Sequence, residues 1–143
     1  MTTAREVSDR YTVAINAHDA AAIGALYAEG AGLKEPAGEF MGREAVVQYW
    51  ERFFEAFPDL SVRDTFKAEN GDTAINEWTA SGTNSGPMET PEGTIPATGR
   101  PVTIVGCDLL TVSEGLITEH RAHYDQLGFM SQLGLASEPA AVS

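Results

Sequence analysis

The chain has 143 residues, enough for one good hydrophobic core and too few for two. Its 21 acidic and 9 basic residues give a net charge of −12, which argues against nucleic acid or an anionic membrane surface and favours a neutral or weakly charged small molecule as partner. The lone Cys107 leaves no intramolecular disulfide or cysteine zinc site, and with no leader-like segment or membrane-length apolar run the expectation is a cytoplasmic protein.

From Thr3 to Ala17, Val7, Tyr11, Ala14 and Ile15 recur at helical spacing with charged residues around the rest of the wheel, which predicts an amphipathic first helix. Asn16-Ala17-His18-Asp19 breaks it, and Asp19 caps a short second helix through Ala28 that buries Ile23, Leu26 and Tyr27. In Leu33-Lys34-Glu35-Pro36-Ala37-Gly38 the proline disfavours helix at Glu35, so this carboxylate falls in an extended or turn segment. Facing a cavity, it is a candidate base. After Gly42, REAVVQYWERFFEAF predicts a third helix with Val46, Val47, Tyr49, Trp50, Phe53, Phe54 and Phe57 on a broad face, stopped by Pro58. That stripe is mainly core, with Tyr49, Trp50 and Phe54 available to wall a pocket.

Leu60, Val62, Asp64, Phe66 and Ala68 then alternate into a strand, Asn70-Gly71-Asp72 makes a hairpin turn, and Thr73 to Ser81 returns as a strand containing Trp78. From Gly82 to Gly99 the chain is rich in Gly, Pro, Ser and Thr and carries Asn84 and Met88; so long a connection is expected to rim a ligand site.

The stretch from Arg100 to Gly134 holds most of the candidate chemistry. Val102, Ile104, Gly106, Asp108, Leu110 and Val112 share one strand face, apolar apart from Asp108. With Glu114-Gly115 as a tight turn, Asp108 pairs with Arg121, Gly106 with His123 and Ile104 with Asp125, which gathers four charged or titratable groups on that face. A three-residue loop instead brings His120 and Tyr124 there. Charges on an apolar face imply either a wet pocket or a buried ion-pair network of Asp108, Arg121 and Asp125 that fixes strand register. His120 and His123 point to opposite faces and do not chelate together, so no metal is expected. No phosphate loop, dinucleotide fingerprint or Ser-His or Cys-His nucleophile pattern is present.

Helices followed by antiparallel strands suggest an α+β fold. With EPAGEFMGREAVVQYWERFFEAFPDL, EWTASGTNSG, ATGRPVTIVGCD and EGLITEHRAHYDQLGFMSQLG, the chain resembles the SnoaL-like polyketide cyclases, whose cone-shaped fold is shared with nuclear transport factor two and ketosteroid isomerase. The resemblance implies a single domain over residues 1–143, with three helices packed in the concave face of a curved antiparallel sheet around an internal pocket; within it, residues 136–143, ASEPAAVS, read as a flexible tail. It also implies a homodimer, no cofactor, and a cyclase, lyase or isomerase using general acid–base chemistry on a polyketide-like or other hydrophobic ketone.

The family's catalytic aspartate near the end of the last strand corresponds to Asp125 in HYDQLGF. Around it His123 or His120 would shuttle or orient, Arg121 would hold Asp108 or Asp125 ionised, and Tyr11 would donate to the enolate oxygen. Ketosteroid isomerase implies a different set, a double-bond isomerase using Tyr11, Glu35 and Asp108. The family's frequent Gly-Thr-His-x-Gly reads Gly82-Thr83-Asn84-Ser85-Gly86 here, and asparagine hydrogen-bonds but does not shuttle protons. Trp50, Phe54, Trp78, Asn84, Met88 and His120 are the candidate substrate-binding residues, and the remaining alternative is a non-catalytic module whose pocket carries an apolar ligand.

Overall fold

The computed structural model describes residues 2–90 and 92–136; the tail expected at the C-terminus lies outside the described residues from 137 onward. Helix α1 (Ala4–Asn16) starts at Thr3, whose hydroxyl accepts from the Glu6 amide, and α2 (Ala20–Gly24) starts at Asp19, whose carboxylate accepts from Ala22 N. The second helix is shorter than its apolar spacing predicts. Strands β1 (Gly32–Glu35) and β2 (Gly38–Met41) form a hairpin across Pro36-Ala37, followed by α3 (Arg43–Ala56). Then come β3 (Ser61–Asn70), β4 (Thr73–Thr83), the small hairpin β5 (Met88–Thr90) and β6 (Gly93–Ile95), β7 (Pro101–Ser113), β8 (Leu116–Tyr124) and α4 (Gln126–Gln132).

Six strands make one curved sheet in the order β2-β1-β8-β7-β4-β3, and the helices cover its inner face. This is the α+β cone that the resemblance implies. One pairing departs from an all-antiparallel sheet: β1 runs parallel to β8, with Leu33 beside His120. That register puts Leu33 on the inner face and, two residues on, brings Glu35 to the edge of the same face. The edge of β3 is covered by α1, where the Asn16 amide bonds both Val62 N and Val62 O in the manner of a neighbouring strand.

The turn at Glu114-Gly115 forms as expected, with Ser113 opposite Leu116 and Val112 opposite Ile117. Beyond it the ladder slips. Thr111 faces Glu119, so Thr118 has no partner in the pairing, and its hydroxyl instead donates to the Thr111 carbonyl at 3.2 Å. Asp108 therefore opposes Ala122, Cys107 opposes His123, and Leu109 opposes Arg121. The expected pairings of Asp108 with Arg121, Gly106 with His123 and Ile104 with Asp125 do not form. A one-residue bulge turns every later side chain of β8 to the other face, and the inward set becomes His120, Ala122 and Tyr124.

On β7 the expected face is inward: Val102, Ile104, Gly106, Asp108, Leu110 and Val112 are all buried. Gly106 is required there by packing, because a Cβ would run into the Trp78 indole ring and stand 2.9 Å from the His123 carbonyl oxygen. Gly106→Ala is expected to destabilise the protein by about 1–3 kcal/mol through overpacking, measured by denaturant unfolding with Trp78 fluorescence as a local reporter.

Candidate active site

The inner cavity lies between the sheet, α1 and α3 and has a volume of about 80 Å³. Its wall is largely aromatic, with Tyr11, Tyr49, Trp50, Phe53, Trp78 and Tyr124, and its polar groups are Thr12, Glu35, Asn76, Asp108 and His120. The cavity shares Glu35, Tyr49, Phe53, Tyr124 and Phe129 with a wider outer groove of about 1040 Å³, which those residues join to it as a throat. Met88, Glu89 and Ile95 from the small hairpin line that groove, so the Gly82 to Gly99 segment does rim the site.

Asp108 is 6% exposed on an otherwise apolar strand face, and among the described residues its carboxylate accepts no hydrogen bond. His120 Nε2 is 3.4 Å from Asp108 Oδ1, an ionic-range contact without hydrogen-bond alignment. On its other side His120 Nδ1 meets the Tyr27 hydroxyl at 2.6 Å, and the Tyr11 ring packs edge-on to the imidazole at 5.2 Å. Glu35 is held at the throat, where its Oε2 accepts from the Tyr124 hydroxyl at 2.8 Å and from Ala37 N at 2.7 Å.

All four tyrosines of the chain belong to this region, and each has its pKa pushed up. Burial is the main cause in every case, because an apolar wall disfavours the phenolate. For Tyr11 the neighbouring Tyr27 and the Asp108 carboxylate add to it, and for Tyr49 and Tyr124 the Glu35 carboxylate does so. The phenols are thus kept protonated and act as hydrogen-bond donors.

Of the residues singled out from sequence, Tyr11, Glu35, Asp108, Trp50, Trp78 and His120 line the inner cavity, and Met88 lines the groove. The others stand elsewhere. Arg121 and His123 are on the outer sheet face because of the bulge, with Arg121 3.4 Å from Glu119. The buried network expected from Asp108, Arg121 and Asp125 is therefore not formed. Asp125 is exposed and caps α4, accepting from Gly128 N at 2.9 Å; a Cβ at Gly128 would sit 2.5 Å from its carboxylate oxygen. Phe54 stacks on His18 at 4.6 Å, outside the cavity wall.

Asn84 is a buried clasp. Its amide donates to Ala56 O and Gly86 O, and its side-chain oxygen accepts from Thr98 N and Thr98 Oγ1, which ties both ends of the rim segment to α3. Tyr27, Tyr124 and Asn76 also belong to the site and are not among the residues singled out from sequence. Tyr124 was reachable through the alternative loop register, and Asn76 through its place opposite Asp108 on an alternating strand.

The SnoaL-like domain profile matches residues 8–120, and the chain belongs to that family. Among solved structures, a candidate SnoaL-like polyketide cyclase from Jannaschia sp. CCS1 superimposes with a TM-score of 0.80 at 20% identity, over 93% of this chain and 92% of that one. IdmH, a candidate polyketide cyclase from Streptomyces antibioticus, gives 0.73 at 24% identity over 91% and 97% of the two chains. A protein of ketosteroid-isomerase-like fold from Catenulispora acidiphila, determined in complex with trimethylamine, gives 0.76 at 22% identity over 93% and 95%. At these identities the structures share the fold. No curated protein is significantly similar to the chain.

Two outcomes are expected from this geometry. Asn84→Ala should cost about 2–4 kcal/mol in unfolding experiments, since it strands several buried partners at once. In an alkaline titration followed by phenolate absorbance, no tyrosine should ionise in the folded protein at its ordinary value of 10.0. Because the folded-state pKa values are raised, the protonated phenols stabilise the fold fully below pH 10.0, and stability is lost above it as the unfolded chain ionises more readily. Phenolate should then appear together with loss of circular dichroism.

Proposed function

We propose that the protein is a cofactor-free acid–base enzyme that removes a proton next to the carbonyl of a hydrophobic, polyketide-like ketone and carries the enolate into an aldol-type or isomerisation step. The observation that supports this most strongly is Asp108, a buried carboxylate that accepts no hydrogen bond among the described residues and opens on an apolar cavity. Such a group is well placed to take a proton, because little solvent has to be displaced from it. Tyr11, kept protonated by burial, donates to the oxygen on which negative charge develops. The aromatic walls hold a flat, apolar substrate, and the continuous outer groove accommodates the rest of an elongated one.

A second reading uses the same cavity with Glu35 as base and Tyr11 and Asp108 around the enolate oxygen, as in ketosteroid isomerase. It is favoured by one observation, that all three residues line one cavity. Asp125 takes no part in either reading, because its carboxylate is committed to the start of α4. The proposal includes a cytoplasmic location and a homodimer through the outer sheet face, where Phe66 and Val105 are each 59% exposed; sedimentation velocity of wild type and Val105→Glu checks the dimer.

Deuterium exchange at the α-carbon of a panel of aromatic-polyketide and steroid ketones, followed by NMR, tests the reaction. Asp108→Asn should lower exchange by about 10²–10⁴-fold while Asp125→Asn retains it. Loss in Glu35→Gln with retention in Asp108→Asn would move the base to Glu35, and no exchange above buffer for any ketone would contradict both readings.

A further inference from the structure

One contact in the polar wall has no part in the proton transfer described above. Tyr27 lies just after α2 and is fully buried, with its hydroxyl 2.6 Å from His120 Nδ1. His120, 1% exposed, stands between that phenol and the Asp108 carboxylate, 3.4 Å from its Nε2. An imidazole in such a place has two neutral tautomers, and the partner of each nitrogen selects between them. A buried hydroxyl proton needs an acceptor, and the Nδ1 lone pair supplies one. A carboxylate only accepts, so the nitrogen turned toward Asp108 is the one that carries hydrogen. Both ends of the ring therefore favour the same tautomer. Burial, the main cause of the raised pKa of Tyr27, keeps its proton available for this bond.

We propose that Tyr27 is a positioning residue that fixes His120 as the Nε2–H tautomer, so that His120 turns an N–H edge toward Asp108 across the 3.4 Å contact and does not itself receive the substrate proton. The inference rests on the reading of this cavity as the reaction site. In it, Tyr27 holds the ring plane and His120 holds the carboxylate toward the cavity, while Asp108 remains the proton acceptor.

Long-range proton–nitrogen NMR correlations of the nitrogen-labelled protein report which imidazole nitrogen is protonated, with His18 and His123 as internal references. The wild type should show His120 protonated at Nε2 alone, and Tyr27→Phe should show a mixture of the two tautomers. On any ketone the wild type turns over, Tyr27→Phe should also lower kcat about tenfold, the worth of one hydrogen bond, at unchanged KM. A wild-type His120 protonated at Nδ1 overturns the proposal whether or not the variant folds. So does an Nε2–H form that persists unchanged in a folded Tyr27→Phe protein. Because the spectrum is read without substrate, a failure of ketone exchange with the tautomer as stated counts against the proposed reaction alone.

Discussion

Thr118 has no partner in the β7–β8 ladder, and the chemistry of the site depends on that one omission. Side chains alternate along a strand, so one extra residue exchanges the faces of everything that follows. With the slip, the inner face receives His120, Ala122 and Tyr124, while Arg121 and His123 go to the outside. Without it, a guanidinium would lie against Asp108 in the core. The hydrogen bond from Thr118 Oγ1 to the Thr111 carbonyl gives the extra residue a local anchor on the strand opposite. Asp108 thereby remains a carboxylate without a cationic side chain against it, apart from the imidazole of His120.

The neighbouring elements are arranged to make that carboxylate useful. Helix α1 brings Tyr11, the segment after α2 brings Tyr27, α3 brings Tyr49 and Trp50, and the parallel pairing of β1 with β8 brings Glu35. Their phenols are donors that burial keeps neutral, so negative charge appearing on a substrate oxygen would be met by hydrogen bonds in a place poor in water. A second carboxylate is kept at the throat by Tyr124 and the backbone of Ala37. The two acids thus occupy different settings in one cavity, one deep and without a hydrogen bond among the described residues, the other near the groove and tied down.

Much of this was legible in the residues. Helical spacing in α1 and α3, the Asn70-Gly71-Asp72 turn and the alternation through β7 report burial directly, and the buried face of β7 is the one its apolar positions mark out. The bulge was not legible, because nothing in Leu116-Ile117-Thr118-Glu119 distinguishes a slipped ladder from a regular one; both leave apolar residues facing inward near the turn. The slip is one residue at every later pair, and it exchanges His123 for His120 on the inner face. Asn84 is a different case. Its place in a glycine-rich segment suggests ligand contact, yet the segment's own loose carbonyls and amides are what the side chain satisfies. Likewise, a carboxylate at the end of the last strand reads equally as a base or as a helix cap, and the position of Gly128 three residues on is the local sign of the cap.

The most direct test of the account is a crystal structure of the protein with a bound phenolic enolate mimic such as 2-naphthol. The naphthol ring should lie among Trp50, Trp78 and Tyr49, with its oxygen within hydrogen-bond distance of the Tyr11 hydroxyl and the ring carbon next to that oxygen facing the Asp108 carboxylate. A naphthol bound outside the inner cavity, with its oxygen against Asp125 or His123, would contradict it.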